Sequence, residues 1–205
     1  MSIAMYGGSF DPIHNGHIAL CRAALEESRA DRLLLVPTGE SPHRDNTGKT
    51  PFAHRLALCQ IAAREIPGVE ASDLEQRLGG VNYTIRTVLA LKEQYPDQPL
   101  FLIVGGDMLL CFHRWKDYRA ILENVTLLAG ARTGDQRREL EEYCRRVLPD
   151  YPQIRLVDFS PIEISSTRLR ELASKGEDLS PWVPAGVAEY IYNHGLYQTK
   201  EAVEQ

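Results

Sequence analysis

The chain reads as an α/β fold, a doubly wound and mostly parallel sheet with helices on both faces. Three observations predict it. Short apolar runs alternate with amphipathic stretches along all 205 residues, the pattern of strands buried on both sides and linked by crossover helices. No repeat, low-complexity segment or linker interrupts the alternation, so one domain over 1–205 is expected. Several of the apolar runs are followed by clusters of glycine, hydroxyl, histidine or arginine residues, and open parallel sheets bind their ligands beyond the carboxyl ends of the strands.

The first strand is expected over Ser2 to Tyr6, then a helix from about His17 to Arg29 and a second strand from Arg32 to Val36, ended by Pro37. Gly39, Pro42, Asn46 and Gly48 mark a loop, the segment expected to move most. Thr50-Pro51 has the form of an N-cap followed by proline at the first helical position, opening a helix to about Ile66. Val69 to Ala71 make a short third strand, and Gly79-Gly80 a loop. A helix from Tyr83 to Gln94 is stopped near Pro96. Leu100 to Val104 and Val125 to Ala129 are the fourth and fifth strands. The charged stretch Glu139 to Val147 is a helix, Ile154 to Val157 the sixth strand, and Ser166 to Ser174 a further helix. The last helix runs from about Pro184 to His194, with Gly195 suited to a left-handed C-cap.

Composition narrows the function classes. No apolar run approaches the roughly 18 residues of a membrane span, and the first residues lack the basic and apolar regions of a secretory signal. A cytoplasmic protein is the default expectation. With 23 basic against 28 acidic side chains and a net charge of −5, the chain lacks the basic surface that nonspecific nucleic-acid binding needs. The arginines at 137, 138, 145 and 146 are interleaved with Glu139, Glu141 and Glu142, which reads as a solvated helix face. Cysteines at 21, 59, 111 and 144 show neither C-x-x-C nor zinc spacing, and buried free thiols are expected.

The chemistry is expected where the clusters converge. After the first strand comes Gly7-Gly8-Ser9-Phe10-Asp11-Pro12-Ile13-His14-Asn15-Gly16-His17; Gly105-Gly106-Asp107 follows the fourth, Arg132 the fifth, and Ser165-Ser166-Thr167-Arg168 the sixth. Glycines beyond a strand let backbone N–H groups approach a phosphate, and a helix start adds a positive dipole end. His14 and His17, with Gly16 between them, are placed to face one anion; no H-x-x-x-H spacing makes them metal ligands. Ser165 to Arg168 read first as a helix cap, and the same hydroxyls and arginine also suit a triphosphate. Two other phosphate loops are rejected: Gly48-Lys49-Thr50 has His43 where a P-loop needs glycine, and no G-x-G-x-x-G follows the first strand.

Gly7 to His17 resembles the G-G-S-F-D-P-x-H-x-G-H signature of bacterial nicotinate-nucleotide adenylyltransferases, and Ile164 to Arg168 resembles the I-S-S-T-x-x-R motif of the wider H-x-G-H nucleotidyltransferases. The likeness continues through Gly105 to Met108, His113-Arg114-Trp115 and Val183 to Tyr197. It implies a Rossmann-like nucleotidyltransferase fold whose C-terminal helices, from about residue 165, close over an ATP site. That site would comprise Gly7, Gly8, Ser9, Phe10, His14, His17, Gly105, Asp107, Ser165, Ser166, Thr167 and Arg168, with His14, His17 and Arg168 acting on the reacting phosphates. Nicotinate mononucleotide would meet Thr84 and Trp115 at its ring, and Arg44 and Arg132 at its phosphate. Arg44 stands in Ser41-Pro42-His43-Arg44, where the family often carries P-P-H-K. Trp115 also suits a core position and Thr84 a helix cap.

The reaction implied is adenylyl transfer from ATP to nicotinate mononucleotide, giving nicotinate adenine dinucleotide and pyrophosphate in NAD biosynthesis. A phosphate monoester is already anionic at neutral pH, so no general base is required. Mg²⁺ would arrive with ATP rather than in a resident metal site. ATP and nicotinate mononucleotide are the expected partners, with no nucleic acid and no membrane; a homo-oligomer is compatible with the sequence. A sibling transferase using nicotinamide mononucleotide or phosphopantetheine, and a noncatalytic nucleotide sensor, are the alternatives.

Overall fold

The computed structural model describes residues 1–39 and 49–198. Within them six strands form one all-parallel sheet in the order β3-β2-β1-β4-β5-β6: β1 Ile3–Gly8, β2 Arg32–Pro37, β3 Val69–Ala71, β4 Leu100–Gly105, β5 Thr126–Ala131 and β6 Ile154–Asp158. The described helices are α1 Asn15–Ser28, α2 Phe52–Ala63, α3 Leu74–Leu78, α4 Thr84–Gln94, α5 Gly106–Leu109, α6 Tyr118–Asn124, α7 Gly134–Val147, α8 Ser166–Ser174 and α9 Val187–Asn193, with a 3₁₀ turn at Phe112–Arg114.

Because successive strand residues face opposite sides, each strand feeds two cores. Ala4, Tyr6, Leu33, Leu35, Phe101 and Ile103 pack under α1, α2, α8 and α9. Ile3, Met5, Leu34, Val36, Leu100 and Leu102 pack under α3 to α7. The chain order reverses between β1 and β4, the place where a doubly wound sheet opens a crevice. Register shows how it opens. β1 pairs with β4 only as far as Tyr6 with Ile103, but stays paired with β2 through Gly8 and Pro37. Meanwhile β4 follows β5 out to Gly105 and Gly130. Past Tyr6 the two central strands therefore part company, one glycine-ended strand on each side.

Several expectations shift. α1 starts at Asn15, so His14 is its cap and His17 its third residue. Pro51, rather than Thr50, occupies the N-cap of α2. α7 starts five residues earlier than its charged stretch suggests, because the Thr133 hydroxyl accepts the Gln136 amide at 3.2 Å. α9 starts at Val187 because Gly186 before it has φ +79, outside helical space. α3, α5 and α6 are too short to show a helical period. Cys21 and Cys59 are buried thiols, whereas Cys111 and Cys144 are half-buried. On α7, Arg137 meets Glu141 at 3.1 Å and Asp158 at 2.8 Å, and Arg138 pairs with Asp135, the solvated face expected. No described helix is long and apolar enough to cross a membrane.

Candidate active site

The H-x-G-H segment lies across the entrance of α1. The His14 N–H donates to His17 Nδ1 at 3.2 Å, so a neutral His17 carries its ring proton on Nε2 and presents it as a donor. The imidazoles stack with centroids 3.6 Å apart and 28° between planes, while Phe10 stands edge-on to His17 at 5.1 Å. Gly16 permits this stack: a Cβ there would lie 3.1 Å from both Nδ1 and Cε1 of His14. His14 is buried, and its Nδ1 has no hydrogen-bond partner among the described residues.

Both rings are kept neutral. Burial, then the positive charge of Arg132, pushes the His14 pKa down to about 4. Burial, His14 and Arg132 hold His17 well below the ordinary histidine value. The pair thus offers hydrogen bonds at pH 7, and Arg132 supplies the fixed cation. Arg132 follows β5 and reaches Asp107, beyond β4, at 3.7 Å. Gln136 ties the two together, accepting the Arg132 amide at 2.7 Å and donating to Asp107 at 3.4 Å. Both charged side chains are more than half exposed, and an exposed pair is weak enough to exchange one partner for a ligand.

The second helix entrance is that of α8. The Ser165 hydroxyl caps it, accepting the Arg168 amide at 3.2 Å. Ser166 Oγ donates to the Pro12 carbonyl at 2.9 Å, which fixes α8 against the turn that carries His14. The two arginines of this motif take different partners. Arg168 is exposed and faces Glu171 at 3.1 Å. Arg170 instead reaches the turn, donating to the Asp11 carbonyl at 2.7 Å and to Thr167 Oγ1 at 3.3 Å. Counted strictly from Ile164, the I-S-S-T-x-x-R spacing ends on Arg170, so the signal was present in the sequence.

Thr84 and Trp115 form a second group. Tyr83 caps α4, leaving Thr84 as its first residue, and a first-turn amide has no acceptor inside its own helix. Trp115 is half-buried and packs on Phe112 at 4.8 Å. Lys116 bridges the two segments, its ammonium 4.4 Å from the centre of the Tyr83 ring. Arg44 lies outside the described residues. Among the described residues no three His, Cys, Asp or Glu gather as a metal-ligand set.

A cytidylyltransferase-like family model matches residues 5–172. The probable nicotinate-nucleotide adenylyltransferase of Thermotoga petrophila is 39% identical over 92% of this chain and 94% of its own. That of Symbiobacterium thermophilum is 35% identical, over 98% and 97%. The chain belongs to the nicotinate-nucleotide adenylyltransferase family. Its fold is shared with the Plasmodium falciparum nicotinic acid mononucleotide adenylyltransferase solved in complex with NaAD, at a TM-score of 0.75, with 20% identity and coverage of 96% and 97%.

The family signature alone does not reveal what braces these residues. Arg55, fully inside the protein at 2% exposure, donates to the Ser9 carbonyl at 2.8 Å and to the Thr50 carbonyl at 2.9 Å. Asp11, also buried, accepts the Tyr197 hydroxyl at 2.8 Å and the Thr50 amide at 3.3 Å. Asp11 lies within the signature and reads there as a turn former, whereas Arg55 and Tyr197 have no local sequence signal.

Proposed function

We propose that this chain transfers the adenylyl group of ATP to nicotinate mononucleotide, forming nicotinate adenine dinucleotide and pyrophosphate in NAD biosynthesis. The observation that carries the reading is the stacked, neutral His14–His17 pair at the switch point. Family membership supplies the substrate pair. A phosphate oxygen of the mononucleotide attacks the α-phosphorus in line, and the bond from that phosphorus to the bridging oxygen breaks as pyrophosphate leaves. The attacking group is already ionised, so the chain's task is to hold two polyanions together and stabilise charge on the phosphoryl oxygens.

Gly7, Gly8, Ser9 and Phe10 line the ATP side with Gly105, Asp107, Ser165, Ser166 and Thr167. His14 and His17 act on the reacting phosphates, His17 donating through Nε2–H. Arg132, close enough to depress both histidine pKa values, balances the mononucleotide phosphate where it meets the ATP phosphates. We move the arginine's role from Arg168 to Arg170, which keeps further N–H groups after bonding Asp11 and Thr167. Thr84 offers its amide to the nicotinate carboxylate and Trp115 its ring face to the pyridine, with Arg44 assigned to the acceptor phosphate by resemblance alone. ATP enters with a divalent cation, assigned as Mg²⁺, which spreads the phosphate charge. Residues 1–205 form one domain in this reading, and the Ser166, Arg170 and Tyr197 bonds to the 11–12 turn support a C-terminal region laid over the ATP side.

Pyrophosphate release from Mg-ATP, measured with nicotinate and nicotinamide mononucleotides in parallel, tests the assignment. Turnover with a large kcat/KM preference for the acid is expected. Equal rates would remove the carboxylate-reading role of Thr84, and no turnover with either acceptor would overturn the function.

A further inference from the structure

The 9–13 turn is held by its carbonyls. Arg55 Nη1 takes the Ser9 oxygen at 2.8 Å, Arg170 takes that of Asp11 at 2.7 Å, and Ser166 takes that of Pro12 at 2.9 Å. In a trans peptide the C=O and the following N–H point in opposite directions. Pinning the Ser9 carbonyl to Arg55 therefore turns the Phe10 N–H away from Arg55, and pinning the Pro12 carbonyl to Ser166 turns the Ile13 N–H away from Ser166. Among the described residues neither of these two amides has a hydrogen-bond acceptor, although Phe10 and Ile13 are both buried. Phe10 holds its unusual backbone, φ +46, inside this brace. The deletion of one carbonyl anchor would free a peptide plane to rotate.

We infer that Arg55 is a positioning residue for phosphate binding, fixing the Ser9–Phe10 peptide so that the Phe10 amide becomes a preset anion donor, and that Ser166 does the same for the Ile13 amide. The chemistry fits each side chain. A guanidinium has two forks and spans Ser9 and Thr50 at once; a lysine could reach only one. Ser166 spends its single hydroxyl proton on Pro12, so what it offers a phosphate directly is lone pairs, which an anion does not seek. Burying Arg55 is costly without a compensating charge, and the Asp11 carboxylate, itself bound to Tyr197 and Thr50, provides one. The inference rests on the proposed function for the identity of the ligand as a nucleoside triphosphate, and its test separates the two.

Ser9-Phe10 is the only Ser-Phe step in the sequence, so carbonyl-¹³C serine with ¹⁵N phenylalanine leaves one amide resonance in a carbonyl-edited spectrum. Adding Mg-ATP alone to the wild-type protein should move that amide proton downfield. Arg55→Lys should lose the shift and lower kcat about tenfold to a hundredfold, the cost typical of a misplaced reacting geometry, while KM for nicotinate mononucleotide stays within a factor of about two. Ser166→Ala, on a partly exposed residue, should leave the Phe10 shift in place and remove the corresponding shift of Ile13, with Ser166→Thr restoring it. This second pair reads the idea even if Arg55→Lys fails to fold. Absence of the wild-type Phe10 shift in a protein that turns over nicotinate mononucleotide would overturn the inference and leave the function standing. A shift with no turnover would overturn the function alone. A folded Arg55→Lys protein with wild-type shift and kcat would also overturn the inference.

Discussion

The turn between β1 and α1 and the segment around Thr84 and Trp115 are the two recognition regions of this molecule, and they are built differently. In the first, the carbonyls of Ser9, Asp11 and Pro12 are anchored by Arg55, Arg170 and Ser166, and the acidic side chain within it is anchored by Tyr197 and Thr50. In the second, a helix start with no side-chain cap is linked to the segment of a half-buried tryptophan by the Lys116 ammonium on the Tyr83 ring. The difference matches the ligands proposed for each. Phosphoryl transfer demands sub-ångström placement of charge, whereas a flat ring is recognised well enough by one face and one amide.

The largest effect expected from this contrast is on the phosphate side. His17→Ala should cut turnover by roughly two to three powers of ten, as loss of a transition-state donor does, with the thermal midpoint close to wild type; unchanged pyrophosphate release in the folded variant would take His17 out of the mechanism. The same region should dominate acid sensitivity. His14 titrates at about 4 in the folded protein against 6.5 ordinarily, so between those values the unfolded chain binds more protons. Its contribution to stability is present above pH 6.5 and is lost as pH falls, reaching about 3 kcal/mol at pH 4. Urea unfolding at pH 7 and 4 should therefore show a smaller loss for His14→Gln than for wild type; parallel losses would contradict the neutral-pair picture.

Next in size is the choice between two arginines. Arg170→Ala should cost about tenfold to a hundredfold in kcat/KM through the displaced turn, while Arg168→Ala, which breaks only an exposed pair with Glu171, should stay within about twofold. The reverse order would restore Arg168 to the site. The smallest effect belongs to the acceptor side: Trp115→Ala should raise KM for nicotinate mononucleotide about fivefold to tenfold, equivalent to ~1 kcal/mol of ring stacking, and leave KM for ATP unchanged. Equal effects on both substrates would dissolve the division into two regions.

What the sequence made legible follows the same line. Strands with both faces buried announce themselves as apolar runs, and α8 was readable to its ends because its cap, Ser165, is local. The glycine-histidine turn was legible because its chemistry lies within eleven consecutive residues. Its braces were not, since Arg55, Arg170 and Tyr197 come from 46, 159 and 186 positions away, and no local pattern records such pairings. Between β3 and β5 the short helices α3, α5 and α6 leave no signal in the sequence because five, four and seven residues carry too little periodicity. Arg168 stands next to the serines, but the spacing of the I-S-S-T-x-x-R motif ends on Arg170.

The Tyr197 hydroxyl on Asp11 has a temporal consequence. A chain made from its amino end exposes the glycine-histidine turn first, but the residue that latches its carboxylate is translated 186 positions later. A ribosome-bound intermediate can therefore lay down most of the sheet while the nucleotide turn still lacks its final anchor. Arrival of Tyr197, rather than formation of the first strand and helix, is the event that latches this turn.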